Sequence, residues 1–392
     1  MESYGNDTVY DIFTLMVNST DNRDTSVKAD KIILSILWAI ACVVGLIGNS
    51  LVIYVILRFS KMKTVTNTYI LNLAIADELY LLGIPFSISH FVMETWPYGT
   101  AWCKILLTND IINQFASIYF LTVMSIDRYI AVVHPVKSVN IRTPRIANAV
   151  SGCVWALVLI LVSWFTAAVR SDYDERMGSY GCGPNWIFLF GNSTLDQEDW
   201  GLVFSYFTFM MGYIIPLLII CTAYILMLNR LRQVGAPGSK GKKTRKVTKL
   251  VTVVVGVFFI CWSPYYILNV AMHYAVMHSK AAFYKWRIAY YFAQSLGYAN
   301  SSANPILYAF LSDNFKKSFQ KAFACATDLQ IEMSVSHFRK PSNKRKHLRS
   351  QETDVTNSMN MKNCQTHAIM LSDSPTNGKL GKSDGDPEPV QL

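Results

Sequence analysis

Seven long stretches almost free of charge set the first limit on what this chain can fold into. Residues 32–57, 146–169, 201–229, 250–279 and 288–312 contain no Asp, Glu, Lys or Arg, and each exceeds the roughly 20 residues an α-helix needs to cross a bilayer. Two more, 64–93 and 105–126, carry only isolated acids: Asp77 and Glu78 in one, Asp110 in the other. Strands of a membrane barrel would be about half as long and would alternate in polarity. The expected fold is therefore an all-α membrane protein, a bundle of seven transmembrane helices. Charged residues make up 16% of the chain, against about 25% in soluble domains.

Orientation follows from the basic residues. Arg128, Lys137, Arg142 and Arg145 follow the third span, and eight Lys or Arg lie between Arg230 and Lys249, in the connection of the fifth and sixth. Positive loops stay cytoplasmic, which with seven spans puts the N-terminus outside. The sequons at Asn6, Asn18 and Asn192 all fall on the side so assigned as extracellular, as candidate glycosylation sites. The first residues lack the basic and apolar segments of a signal peptide, so the first span is expected to direct insertion. Cys42, Cys153, Cys221 and Cys261 lie within spans and read as buried small hydrophobes. Cys325 and Cys364 are cytosolic, which leaves Cys103 and Cys182 as the one pair on the oxidising side, expected to form a disulfide.

Four segments result. Residues 1–31 form a polar, glycosylatable tail, and 32–312 form the bundle. Residues 313–325 form an amphipathic interfacial helix, with Phe315, Phe319 and Phe323 four apart beside a basic flank. Cys325 is its palmitoylation candidate. Residues 326–392 are Ser-, Thr-, Asn- and Lys-rich and expected to be disordered, with hydroxyls open to phosphorylation. Basic runs beside membrane helices set topology and attract anionic lipid, so the formal charge of +10 is not read as nucleic-acid binding. No phosphate-binding glycine loop, zinc-ligand spacing or nucleophile elbow occurs, and no enzyme chemistry is expected.

Charges inside a span are expensive and mark function by default. Asp110 and Arg128 lie 18 residues apart, five turns of one helix, so they share a face about 27 Å apart along its axis. That is about one hydrocarbon thickness. Asp77 in the second span must find a partner or a proton. Asn49, Ser117, Asn300 and Asn304 lie at corresponding depth, and the set reads either as oxygen ligands for a small cation or as a hydrogen-bonded cluster around a protonated Asp77. Pro85, Pro216, Pro264 and Pro305 each remove a helical hydrogen bond, and Trp262 stands two residues before Pro264.

Together Gly48-Asn49, residues 73–77, Trp96, Cys103 with Cys182, Asp127-Arg128-Tyr129, Trp155, Pro216 with Tyr224, Cys261-Trp262-Ser263-Pro264 and residues 304–308 resemble the rhodopsin-class G-protein-coupled receptors. Residues 62–67, 71–79, 112–115, 121–135 and 297–319 are more narrowly similar to the somatostatin and allatostatin-C receptors, with the opioid receptors next.

The resemblance implies a plasma-membrane receptor for a cationic neuropeptide, coupled to heterotrimeric G protein of the inhibitory Gi/o type, with arrestin recruited by the phosphorylated tail. It makes Asp110 the acid that pairs with a ligand lysine, Gln114 a second contact one turn deeper, and Asn269 and Tyr298 lining residues. It also assigns Asp77, Asn113, Ser117, Asn300 and Asn304 to an allosteric sodium site. Arg128, Tyr224 and Tyr308 become the inner switch, with Asp127 as the resting partner of Arg128 and Tyr129 completing the triplet. Ile118, Pro216 and Phe258 become the connector below the ligand, and Trp262, Pro264 and Pro305 the pivots. A loop holding Asp172, Asp174, Glu175, Asp196, Glu198 and Asp199 against Arg170 and Arg176 reads as an anionic lid that favours a cationic ligand.

Two positions depart from the somatostatin pattern: His90, counted with the ligand-binding residues, replaces a glutamine expected near the end of the second helix, and no proline follows Trp164. A photoreceptor would need a lysine where Tyr298 stands. An amine receptor would want hydroxyls where Thr208, Phe209 and Gly212 stand, and a transporter would show internal repeats. No acid stands at Thr244 or Thr248 to latch Arg128 to the sixth helix, so appreciable ligand-free activity is expected. Val390-Gln391-Leu392 could dock in a PDZ groove.

Overall fold

The computed structural model describes residues 24–175, 178–191, 197–234, 239–273 and 280–322. Their long helices are α1 (Asp24–Arg58), α2 (Val65–Met93), α3 (Gly99–Val133), α5 (Pro144–Ala168), α7 (Gln197–Phe209) running through a π-turn at Met210–Ile214 into α8 (Ile215–Val234), α9 (Ser239–Met272) and α10 (Lys280–Leu311). The short α4 (Pro135–Ile141) follows α3, and α6 (Trp186–Phe190) follows a hairpin of β1 (Val169–Asp174) and β2 (Ser179–Pro184). Residues 313–322 are helical too. The chain divides into two units, Met1–Ser318 and Phe319–Leu392, and the bundle belongs to the first. Asn6, Asn18, Asn192, Phe323, Cys325 and the whole of the 326–392 tail lie outside the described residues.

Local sequence explains where the helices begin. Thr64 and Thr143 accept the backbone N–H of Asn67 and Ile146 at 3.3 Å, and Pro144 fills the first position of α5, where its missing N–H costs nothing. Among the described residues, six helical runs are long and apolar enough to cross a membrane. The seventh, α10, falls short of that apolarity because Gln294, Ser295, Asn300, Ser301, Ser302 and Asn304 sit on it, and it packs against α1, α2 and α9. Large apolar side chains such as Ile160, Leu218 and Ile260 point outward, the pattern of a protein whose solvent is hydrocarbon. The same inversion corrects the reading of the cysteines: Cys42 is buried, but Cys153 and Cys221 are exposed on outer faces.

The four prolines leave a pattern that periodicity does not show. Each should orphan the carbonyl four residues earlier. The Leu81 carbonyl behind Pro85 accepts from the Cys42 thiol at 3.5 Å, that of Gly212 behind Pro216 from the Tyr266 hydroxyl at 3.3 Å, and that of Ser301 behind Pro305 from Asn49 Nδ2 at 3.2 Å. Behind Pro264, no described side chain donates to the Ile260 carbonyl. Three kinks are thus latched to a neighbouring helix and the α9 kink is not. Close approach supports one latch: a Cβ on Gly48 would lie 2.9 Å from Pro305.

Helix α3 occupies the centre, touching α2, α4, α5, α8, α9 and both strands. Cys103 in its first turn is bonded to Cys182 on β2, with Cα atoms 5.6 Å apart. Where no proline follows Trp164, the end of α5 is held by Lys104, whose Nζ donates to the carbonyls of Thr166 (2.9 Å) and Ala167 (3.2 Å). A cation at a helix C-terminus complements the dipole.

Candidate functional site

At the hairpin end of the bundle a cavity of about 370 Å³ opens between α3, α7, α9, α10 and β2. Asp110 is the one carboxylate among the described residues lining it, and neither Lys nor Arg joins it there. No described side chain forms an ion pair or hydrogen bond with Asp110. Gln114 lies one turn further along α3, nearly fully buried, and the buried Trp262 closes the floor beside Tyr80. Phe165 and Phe204, stacked at 4.7 Å, and Trp186 make one wall aromatic. Asn269, which donates to the Tyr265 carbonyl at 3.2 Å, and His273, 3.0 Å from the Ser205 hydroxyl, line the rim.

Two residues expected at this pocket stand off it. Tyr298 is buried behind Tyr80 (5.0 Å) and edge-on to Trp38 (5.4 Å), its hydroxyl accepting from Gln294 Nε2 at 3.0 Å. His90 lies edge-on to Trp96 at 5.6 Å. Asp172 is held by Arg170 at 2.8 Å and by Asn185 at 3.0 Å, and no described acid of that loop lines the cavity.

Midway along the bundle Asp77 is fully buried. It accepts from Ser301 Oγ (2.7 Å), Asn304 Nδ2 (2.8 Å) and Asn113 Nδ2 (3.2 Å). The amide oxygens of Asn113, Asn300 and Asn304 are buried without a partner among the described residues. One carboxylate among oxygen acceptors that lack donors has the composition of a site for a small hard cation.

At the far end of α3, Asp127 and Arg128 are both about 5% exposed. Arg128 donates to Asp127 through Nη2 and, at 3.1 Å, through Nε, and its Nη2 also meets Thr66. Arg142, beyond α4, donates to both oxygens of Asp127, at 2.6 and 3.1 Å. Tyr129 faces His134 edge-on at 5.7 Å. Between the two ends, Ile118 and Phe258 are completely buried, with Phe258 5.9 Å from Trp262. Tyr308 is buried against Phe315 at 5.5 Å, its hydroxyl without a described partner, and Tyr224 on α8 is half-buried.

A membrane bundle with one anionic cavity at one end and a buried Asp-Arg pair at the other has the parts of a transmembrane receptor. Residues 48–308 match the family described as 7 transmembrane receptor (rhodopsin family). The chain belongs to that family. Somatostatin receptor type 2 of Mus musculus is 44% identical over 293 residues, covering 74% of this chain and 76% of that receptor. The type 5 receptor of Bos taurus is 44% identical over 296 residues, covering 75% and 76%, and the type 1 receptor of Rattus norvegicus 41% over 310 residues, covering 78% and 75%. This is a rhodopsin-family receptor of the somatostatin type and not an enzyme.

In this receptor two polar partners were missed by sequence reasoning. Ser301 touches Asp77 directly, whereas Asn300, which was expected there, is not among the described residues that donate to that carboxylate. Ser301 is next to Asn300, and motif matching could not rank two adjacent polar residues. Arg142 was read only as a topology signal, because nothing in the sequence ties it to an acid 15 residues earlier.

Proposed function

We propose that this receptor binds a cationic neuropeptide of the somatostatin or allatostatin-C type at Asp110 and signals through heterotrimeric G protein of the Gi/o class. The observation that carries the reading is the solitary carboxylate in an otherwise uncharged, largely aromatic cavity. A buried charge without a partner is costly, and a ligand ammonium would supply the partner. Gln114 and Asn269 add neutral polar contacts, and the aromatic wall suits a large apolar side chain. The hairpin end is then extracellular, with the N-terminal tail and its sequons, and the receptor resides in the plasma membrane.

Switching requires two states of which the ligand prefers one. A ligand seated on the floor of the cavity presses Trp262 and through it Phe258. Helix α9 responds most readily, because its kink at Pro264 is the one whose freed carbonyl no described neighbour holds. Outward movement of α9 would open a cleft for the G protein near Arg128, Tyr224 and Tyr308, and Arg128 would exchange Asp127 for that partner. A sodium ion, where bound, would stabilise the resting state by supplying positive charge at Asp77. Asp77, Asn113 and Asn304 would hold it, with Ser117 and Asn300 nearby in sequence and Ser301 added by its 2.7 Å contact. Arrestin recruitment by the phosphorylated tail, palmitoylation at Cys325 and contact with anionic lipid belong to the same proposal.

The test is G-protein nucleotide exchange in membranes containing the receptor, with somatostatin and allatostatin-C peptides as probes. A response is expected from the intact receptor, and loss of one charged partner of a buried pair costs about 2–5 kcal/mol. Asp110→Asn should therefore shift the concentration needed by about 30-fold or more. An unchanged dose–response in that variant would sink the ion-pair reading.

A further inference from the structure

On the β2 edge of the hairpin that closes the cavity, one position has no main-chain partner among the described residues. In an antiparallel pair the N–H and C=O of a residue leave on the same side of the strand, and successive residues alternate sides. Tyr180 on β2 points away from β1: its carbonyl accepts from Trp96 N–H at 2.8 Å and its N–H donates to Thr95 Oγ1 at 3.3 Å. Ser171 on β1, opposite Cys182, points away from β2, since its N–H and its carbonyl meet the Thr100 hydroxyl at 3.3 and 3.4 Å. Both observations fix the same phase. The outward positions of β2 are Tyr180, Cys182 and Pro184, while Gly181 and Gly183 bond to β1.

Two of those three are occupied. Tyr180 is tied to the turn before α3. Pro184 has no N–H, and its carbonyl accepts from Gln197 Nε2 at 2.8 Å. Gln197 in turn accepts from Trp186 N–H at 2.8 Å, which pins that end of the strand to α7. Between the anchors, the Cys182 N–H and C=O point away from β1 with no partner among the described residues. Residues Gly181, Cys182, Gly183 and Pro184 all form cavity wall. The disulfide to Cys103 holds this point of the strand against α3.

We propose that the main chain of Cys182 is a ligand-binding group that pairs with one extended residue of a peptide. The peptide carbonyl accepts from Cys182 N–H, and the N–H of the same peptide residue donates to the Cys182 carbonyl. This is strand addition confined to a single residue, because the anchors at Tyr180 and Pro184 stop a longer ladder. The inference rests on the peptide-receptor reading and deepens it. Asp110 recognises a side-chain charge, while Cys182 recognises an extended backbone. Asp110 lies about two turns along α3 from Cys103, and Cys182 is 5.6 Å from Cys103. The pairing residue should therefore fall roughly three to five residues from the ligand's cation, at about 3.3 Å per extended residue. A small amine seated on Asp110 cannot span that distance, so the site selects peptides.

Backbone esters installed in the full-length receptor test this. Glycolic acid in place of Gly183 converts the 182–183 amide to an ester, which weakens the Cys182 carbonyl and removes one N–H bonded to β1. The same replacement of Gly181 is a matched control: it also removes one N–H bonded to β1 but weakens the Tyr180 carbonyl, which Trp96 occupies. With whichever somatostatin or allatostatin-C probe binds the intact receptor, the 182–183 ester should lower affinity roughly three- to tenfold. The 180–181 ester should change it less than twofold. A scan of the probe by single N-methylation should find one amide within about five residues of the lysine whose loss is not additive with the 182–183 ester. Equal behaviour of the two esters while the probe still binds would overturn the proposal. Failure of every probe on the intact receptor would instead strike the peptide-receptor reading beneath it.

Discussion

The two charged ends of α3 are built in opposite ways. Asp110 faces a cavity with no described residue to neutralise it, whereas Asp127 is held by Arg128, Arg142 and Thr66 at once. Both are aspartates on one helix within a span, and each bears the cost of removing a carboxylate from water. At Asp127 the fold offsets the cost with two guanidinium groups. At Asp110 the compensation is left to whatever enters. One end is a completed contact whose rupture is the event, and the other an incomplete contact whose completion is the event.

The sharpest way to break this comparison is to make the same substitution at both ends. Asp127→Asn removes the shared partner of two arginines and leaves their charges in place, and the loss should be about 3 kcal/mol, in the range for breaking a buried pair. Asp110→Asn removes a charge that nothing in the protein compensates, so the unliganded receptor should be as stable or more stable. Thermal unfolding of both variants in the same detergent, without ligand, measures the difference. If Asp110→Asn lost as much as Asp127→Asn, Asp110 would have an internal partner and the contrast would collapse.

A smaller effect concerns the second arginine. Arg142 makes two hydrogen bonds to Asp127 but is 25% exposed, so solvent screening limits its contribution to about 1 kcal/mol. Asp127 engages Arg142 and Arg128 together, and loss of Arg142 raises the carboxylate's demand on Arg128. Arg142→Ala should therefore lower ligand-free nucleotide exchange, by about fivefold at most, and weaken peptide binding at the other end by no more than the same factor, since the ligand prefers the active state. Should ligand-free exchange rise instead, Arg142 would be acting as a clamp on α4 rather than as a competitor for Asp127.

Much of this was legible in the sequence, for reasons that differ by region. The spans announce themselves because hydrocarbon forbids charge over 20 residues, and Asp77, Asp110 and Arg128 stand out as violations of that rule. Cys103 and Cys182 were separable from six other cysteines by compartment alone. What stayed hidden was pairing across long separations. Neither Cys42 under Leu81 nor Tyr266 under Gly212 has any periodic signature, so the difference between latched and unlatched kinks appears only in three dimensions. The acidic loop is legible in the sequence only as an excess of acids; that Asp172 is held by Arg170 and Asn185, and that no described acid of the loop lines the cavity, appears only in three dimensions.

The smallest expected effect tests how completely Asp110 dominates its cavity. His273 is the one imidazole among the described lining residues. It faces Ser205 on α7 across 3.0 Å, and burial pushes its pKa below the ordinary value of 6.5. The ring is therefore neutral at pH 7.4, and no described cation shares the cavity with Asp110. Because the depressed pKa disfavours the charged form in the folded state, protonation on acidification costs stability, and that cost grows as pH falls below 6.5. It also adds a positive charge to the cavity that a cationic ligand must enter. Peptide affinity should fall a few-fold between pH 7.4 and 5.5, chiefly through slower association, as expected when like charges oppose encounter. His273→Gln retains a polar group near Ser205 without the titration and should flatten that dependence. An equally steep pH profile in the variant would assign the titration to the ligand or to Asp110 itself, and the cavity could no longer be described by a single charge.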